Sequence, residues 1–269
     1  MKSFIRNKKV VPRDVVNEIL LWADRVKDKY ASPLGPSTEK ALKAIRAGAD
    51  ITQSGRYGNT NGSAMRIAPV GIIHGLRESS CEEMVKDVYL TCLPTHNTTV
   101  CVSSAAAVAW GIAVCLRGET DMDVIIEETM RAAEIGKQYG YPIVSPSIAK
   151  RIEFIYGIVK KSNGKEEAMQ EIYDYFGGGD IAAESVPVAI GLFALGKGNP
   201  KEVNEICVNF GGDCDTNAAM AGAMAGAMAG IEAVPSEWCE TIRKVNNIDF
   251  ESFTKEILDL IPQWEVGEP

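Results

Sequence analysis

Apolar positions recur every three to four residues along most of the chain. After Pro12, the residues Val15, Ile19, Trp22 and Val26 fall on one stripe, which predicts an amphipathic helix with proline in its first turn. Ser80-x-x-Glu83 precedes Met84, Val85, Val88, Tyr89 and Cys92, predicting a capped helix that stops at Leu93-Pro94. The Ala/Val-rich run from Asn97 to Leu116 predicts a long helix closed by Gly118. Thr120-x-x-Asp123 predicts the start of another, carrying Ile126, Met130, Ala133 and Ile135 to a stop at Gly140. Ser145-Pro146 predicts the next, with Ile148, Ile152, Ile155 and Ile158 in period before Asn163-Gly164. Further helices are expected over 166–176, 185–195, 200–209, 216–230, 236–245 and 250–260. No segment alternates apolar and polar residues between turn signals, and no Pro/Gly/Ser linker divides the chain. The pattern predicts one all-α domain over residues 1–269.

Ala218 to Val234 carries one charge, Glu232, and its Gly222, Gly226 and Gly230 have the G-x-x-x-G spacing of associating membrane helices. The run is shorter than the roughly 20 residues a span needs. It therefore reads as a buried core helix, with the three glycines spaced for close approach to another helix or a ligand. Its methionines fall on a different face.

Composition narrows the function classes. Lys plus Arg number 28 and Asp plus Glu 36, a net charge of −8 that opposes approach to a phosphate backbone, so no nucleic-acid partner is expected. No membrane partner is expected either. Seven cysteines form no C-x-x-C pair, and Met1 to Lys9 lacks the apolar core of a secretory signal, which together fit a cytoplasmic protein.

Four segments depart from helix packing. Gly211-Gly212-Asp213-Cys214-Asp215-Thr216 places two carboxylates and a hydroxyl ahead of a helix. Residues two apart on a regular helix do not face each other, so the glycine turn is what allows their oxygens to converge on a hard cation. A helix cap needs one such residue rather than three, which favours metal over Asp215 or Thr216 as a cap. Asn59, Thr60, Asn61, Gly62 and Ser63 precede the apolar Ala64-Met65-Arg66-Ile67-Ala68-Pro69. They suit either an anion or sugar at a helix start or an ordinary Asn/Gly turn. His96 lies in the loop Thr95-His96-Asn97, and with His74 the only other histidine no multi-histidine metal site can form. Gly177-Gly178-Gly179-Asp180 leads to Glu184-Ser185-Val186-Pro187, a turn that admits either a ligand or a flexible connection.

In this order the four segments resemble the ADP-ribosylglycohydrolase family. Thr60 to Pro69 is similar to its G-N-G-x-x-M-R-I-A-P stretch, with Thr60 in place of the first glycine. Thr95-His96 resembles its Thr-His step, Glu184 to Pro187 its E-S-V-P stretch, and Gly211 to Thr216 its G-G-D-T-D-T motif, with Cys214 at a non-ligand position. The resemblance implies an all-α hydrolase that cleaves a glycosidic bond between ADP-ribose and an acceptor. It implies Mg²⁺ or Mn²⁺ as cofactor, binuclear in a full-length form. Asp213, Asp215 and Thr216 match metal ligands. Asn59, Thr60, Asn61, Gly62, Ser63, His96 and Glu184 match the cleft that holds ADP-ribose. The family's T-D-D segment has no counterpart here, because Thr120-Asp121-Met122-Asp123 follows the histidine and reads as a helix cap. Part of the metal shell is therefore expected to be missing, and the rival reading is a non-catalytic binder of ADP-ribose or a nucleotide.

Overall fold

The computed structural model describes residues 1–26 and 34–269. Among them are fifteen α-helices: α1 (Lys2–Asn7), α2 (Pro12–Val26), α3 (Pro36–Arg46), α4 (Ile51–Ser54), α5 (Ala68–Leu76), α6 (Cys81–Cys92), α7 (Thr99–Leu116), α8 (Met122–Gly136), α9 (Ile148–Lys161), α10 (Lys165–Phe176), α11 (Ala182–Leu195), α12 (Pro200–Phe210), α13 (Cys214–Ala229), α14 (Ser236–Asn246) and α15 (Phe250–Leu260). The described residues form no strand, and the expected all-α architecture holds.

Local chemistry sets most helix starts. The Ser80 capping box is complete: Ser80 Oγ accepts the Glu83 N–H at 3.2 Å and Glu83 Oε2 accepts the Ser80 N–H at 2.9 Å. Two predicted starts shift. Asp121, not Thr120, caps α8 by accepting the N–H groups of Asp123 and Val124, since a carboxylate brings charge to the helix N-terminus. Ser147 rather than Ser145 caps α9, and α8 ends at Gly136, short of Gly140. Helices α1, α3 and α4 were not expected, being too short or too polar to show a clear stripe. In α2 the predicted stripe holds at Val15, which is buried, and at Ile19, which packs on the core, but Val16 and Ala23 are buried as well and Trp22 is 41% exposed.

The core is built around α7, in which every residue from Val100 to Cys115 is buried against α5, α6, α8, α11 and α13. Its Ala, Ser, Cys and Gly side chains let five helices approach closely. At Gly71 of α5 a methyl group would lie 2.5 Å from the Ala109 carbonyl, so only glycine permits that crossing. By length and composition α7 could cross a membrane, yet 89% of it is buried inside the protein.

The buried-helix expectation for Ala218 to Val234 needs correcting. In α13 only Thr216, Asn217, Met220, Ala221, Met224 and Ala225 are buried, and the methionines, not the glycines, carry the contact with the core. A methyl group on Gly222 would meet Asn204, but Gly226 and Gly230 have open space around them. A repeat of small residues permitted close packing without requiring it.

The connections that carry the four motifs are tied to one another. They link α4 to α5, α6 to α7, α10 to α11 and α12 to α13. Asn97 N donates to Gly55 O (2.8 Å), Asn61 N to Asp180 O (2.8 Å), Ala182 N to Asn59 O (2.9 Å) and Asp213 N to Gly178 O (2.7 Å). Pro187 lies inside α11 and leaves the Ala183 carbonyl without its helical donor, and Arg151 Nη1 supplies one at 2.7 Å. The Glu184–Pro187 turn of α11 is thus kept intact beside the motif loops.

Candidate functional site

Asn61 stands at the centre. It begins a single 3₁₀ turn, Asn61–Ser63, and its Nδ2 donates to Ser185 Oγ at 2.8 Å and to Asp213 Oδ2 at 2.6 Å. Ser185 Oγ donates onward to Asn217 Oδ1 at 2.8 Å, and Thr216 Oγ1 donates to Asp213 Oδ1 at 2.9 Å. Both Asp213 oxygens are therefore fixed by side chains from different segments. The buried Asn217 Nδ2 has no partner among the described residues, which marks a donor able to meet a water or ligand oxygen.

The turn that carries Asp213 depends on Gly212. Its φ is +64°, and a Cβ there would run into the Gly178 backbone, so glycine is required. Asp213 precedes α13 without a side-chain cap bond, and neither Asp215 nor Thr216 caps the helix. The capping reading is therefore set aside. Burial pushes the Asp213 carboxyl above its ordinary pKa; the bonds from Asn61 and Thr216 oppose that shift, and the nearby Asp215 carboxylate adds to it. Asp215 itself is exposed.

A second chain of contacts runs behind the first. His96 is fully buried, with Nε2 3.1 Å from Thr60 Oγ1 and Nδ1 2.8 Å from Thr95 Oγ1. Arg66 Nη2 donates to Thr95 Oγ1 at 2.6 Å and Nη1 to Gly62 O at 2.9 Å. Burial first, and the Arg66 charge second, hold the His96 pKa well below its ordinary value, so the ring is neutral. A lone loop histidine is usually at the surface, but here Gly62 packs directly on the ring. His74 belongs elsewhere, facing Asp87 at 2.9 Å in a fully buried pair.

The structure thus joins Thr60, Asn61, Gly62, His96, Ser185, Asp213 and Thr216 by direct contact. Asn59 is exposed at the loop edge, with its carbonyl holding Ala182. Ser63 turns away and donates to Cys101 O of α7 at 3.4 Å, so it supports the loop rather than facing a ligand. Glu184 is partly exposed with its carboxylate against Gly179. Two participants had no expected role. Arg66 could have been noticed as the one charge in an apolar run, whereas Asn217, one residue beyond the Asp/Thr motif, carried no separate signal.

An all-α fold with an Asn–Ser–Asp–Thr cluster at the tied ends of four helix connections defines the class. The sequence profile of ADP-ribosylglycohydrolases matches residues 1–266, and the chain belongs to the ADP-ribosylglycohydrolase family. It is 34% identical to the protein YegU of Escherichia coli K12 over 248 residues, covering 92% of this chain and 73% of YegU. It is 27% identical to the human ADP-ribosylhydrolase ARH3 over 231 residues, covering 80% of this chain and 61% of that protein. The chain thus spans less than two thirds of the length of ARH3. A solved ADP-ribosylglycohydrolase-related protein complex superposes with a TM-score of 0.69 at 22% identity, covering 98% of this chain and 78% of that one, which shows the shared fold.

Proposed function

We propose that this protein binds ADP-ribose across the four tied loops and hydrolyses the glycosidic bond joining ADP-ribose to an acceptor, or a related ribosyl bond. The observation that carries this reading is the Asn61–Ser185–Asp213–Thr216 cluster, in which residues from three motifs converge through bonds of 2.6 to 2.9 Å. Membership of the family and likeness to ARH3, named as an ADP-ribosylhydrolase, agree with it.

Mg²⁺ or Mn²⁺ is the proposed cofactor. Asp213, Asp215 and Thr216 fit such an ion in donor chemistry, because they offer hard oxygens that the helix terminus does not consume. Mg²⁺ is commonly held by one or two carboxylates, with waters and substrate oxygens completing the shell. The described residues gather no group of three or more His, Cys, Asp or Glu side chains, so hydroxyl, water and substrate oxygens would have to complete the shell. When bound, such an ion would orient ribose hydroxyls and lower the pKa of water.

The chain's own residues supply the remaining positioning. Cleavage at an anomeric carbon needs a fixed ring, an attacking water and help for the leaving group. Asn61 and Thr216 lock the Asp213 carboxylate, and Cys101 Sγ donates to the Gly58 and Thr60 carbonyls at 3.4 Å, which holds the loop proposed to line the ligand. Glu184, beside Gly179 at the rim, is the group proposed to exchange a proton with water or leaving group.

A second reading, binding without hydrolysis, draws on the two-carboxylate limit of the ion site. Calorimetric titration with ADP-ribose, with and without Mg²⁺, combined with release of ADP-ribose from a modified peptide, separates the two. Binding with turnover that Glu184→Gln lowers supports the hydrolase; binding without turnover supports the second reading. Failure to bind ADP-ribose at millimolar concentration would sink both.

A further inference from the structure

The four residues behind the site have more hydrogen-bond structure than holding a loop demands. Arg66 carries its charge with no ion-pair partner among the described residues, and its Nε is buried without an acceptor. Its Nη2–H enters one lone pair of Thr95 Oγ1. Thr95 is 0% exposed, and among the described residues its hydroxyl meets this guanidinium and His96 Nδ1 and no other hydrogen-bonding group.

The Arg66 charge at one end fixes the direction of the chain. A hydroxyl has one proton and two lone pairs, and a neutral imidazole has one donor and one acceptor. Either tautomer leaves one hydroxyl proton over, that of Thr95 if His96 Nδ1 carries the proton and that of Thr60 if it does not, and the cost is greater at Thr95, which is fully buried. With the proton on Nδ1, the imidazole N–H would also point at the hydroxyl that the Arg66 cation already fills, whereas an acceptor there is favoured by the charge. If Nδ1 is the acceptor, the Thr95 proton is used, and Nε2–H donates to Thr60 Oγ1. The Thr60 proton is then unspent, on a residue 5% exposed between Asn59 and Asn61.

We propose that Arg66, Thr95, His96 and Thr60 form a one-way hydrogen-bond relay that ends with the Thr60 hydroxyl as a donor to an anionic oxygen of the ligand, a phosphate oxygen of the sugar nucleotide. The ligand half rests on the proposed function; the relay itself does not. The unpaired guanidinium at its origin favours an acceptor that carries negative charge, because each link is polarised in the same sense. Thr60 stands where the family pattern has glycine, so the terminal donor belongs to this chain rather than to the motif. Arg66 and Thr95 are positioning residues that act through His96.

The relay is read directly by two-bond ¹H–¹⁵N spectra of the imidazoles. The chain has only His74 and His96, and through-space contacts from the His96 ring to Gly62 and from the His74 ring to Trp264 assign the signals in the unaltered protein. The expected pattern for His96 at pH 7 is the neutral Nε2–H tautomer, shifting toward a mixture in Thr95→Val. A neutral Nδ1–H tautomer in the unaltered protein would overturn the relay, and this needs no variant to fold. In the ligand arm, Thr60→Val should weaken ADP-ribose binding roughly 10- to 100-fold, as expected for one bond to a charged acceptor. Thr60→Ser should restore it, and adenosine should bind equally to all three. Equal ADP-ribose affinity in Thr60→Val overturns the donor role, and an equal loss for adenosine overturns the phosphate assignment. An Nε2–H tautomer in a protein that does not bind ADP-ribose upholds the relay and overturns the functional reading.

Discussion

Asn61 Nδ2 lies 2.6 Å from Asp213 Oδ2 across 152 positions of sequence, so one amide ties the start of the first motif to the start of the last. Its second bond, to Ser185, brings in the third. Asn61→Ala removes both donors from a largely buried cluster and should cost about 1–3 kcal/mol in urea unfolding at pH 7. The Asp213 carboxyl, already raised by burial, loses one of the bonds holding it down. The deficit should therefore shrink as pH falls through the folded-state value, where the carboxyl gains its proton. A deficit that stays constant from pH 7 to pH 4 would show that Asn61 does not act on the Asp213 charge.

Much of this site was legible because each motif residue is polar where a helix would rather be apolar. Asp213 and Thr216 could be named from local pattern, whereas Asn61 and Ser185 lay in segments that read equally as ordinary turns until the order of all four motifs gave the family resemblance. What the chain could not disclose is pairing: Asn217 in α13 looks like any polar residue in a first turn, and only the approach of Ser185 gives it a role. The fold shows the same division. Helices with strong stripes, such as α9, were clear, whereas α3 is polar on most faces and its stripe packs on a small separate cluster of Val16, Leu42 and Ile45. In α13 the period-four repeat suggested glycine packing, but tertiary contact with α7 selected the methionine face.

A histidine held neutral by burial makes stability depend on pH with a definite sign. The unfolded chain protonates His96 near pH 6.5, while the folded chain resists protonation until well below that value. The contribution from His96 is thus fully present above pH 6.5 and declines as pH falls toward the folded-state pKa, by up to about 1.4 kcal/mol per pH unit. His96→Gln removes the titrating group. Unfolding free energies measured between pH 6.5 and 5.5 should lose that slope in the variant, and parallel curves for the two proteins would mean that His96 titrates normally in the fold.

Far along the chain, a buried carboxylate secures the C-terminal segment. Asp87 Oδ2 accepts Trp264 Nε1–H at 2.9 Å and faces His74 Nε2 at 2.9 Å, while Oδ1 accepts the Gly267 N–H at 2.8 Å. Trp264 meets Phe4 edge-on with ring centroids 5.3 Å apart, so the tail is clamped to α1 as well. Removing the shared acceptor strands three donors, and Asp87→Ala should be destabilised by about 3–5 kcal/mol, with Trp264→Ala in a similar range. Neither group bonds to the motif loops. ADP-ribose affinity of the folded fraction, followed by calorimetry at low temperature, should therefore match the parent; a lower affinity would show that the clamp supports the site.

Asp215 offers a separation of metal binding from folding. It is exposed beside the raised Asp213 carboxyl, so its charge is a liability to the metal-free protein. Asp215→Asn removes that repulsion while keeping shape, and the metal-free variant should be equal to the parent or slightly more stable, within about 0.5 kcal/mol. A ligand that binds only the folded state stabilises it by about 2.7 kcal/mol at a hundredfold excess over its dissociation constant. Mn²⁺ or Mg²⁺ should accordingly raise the parent's melting temperature in a concentration-dependent way. Asp215→Asn, with one carboxylate fewer for a hard cation, should lose most of that shift while starting from the same baseline. A variant that gains as much from Mn²⁺ as the parent would place the ion away from Asp213, Asp215 and Thr216, and the proposed centre would have to be abandoned.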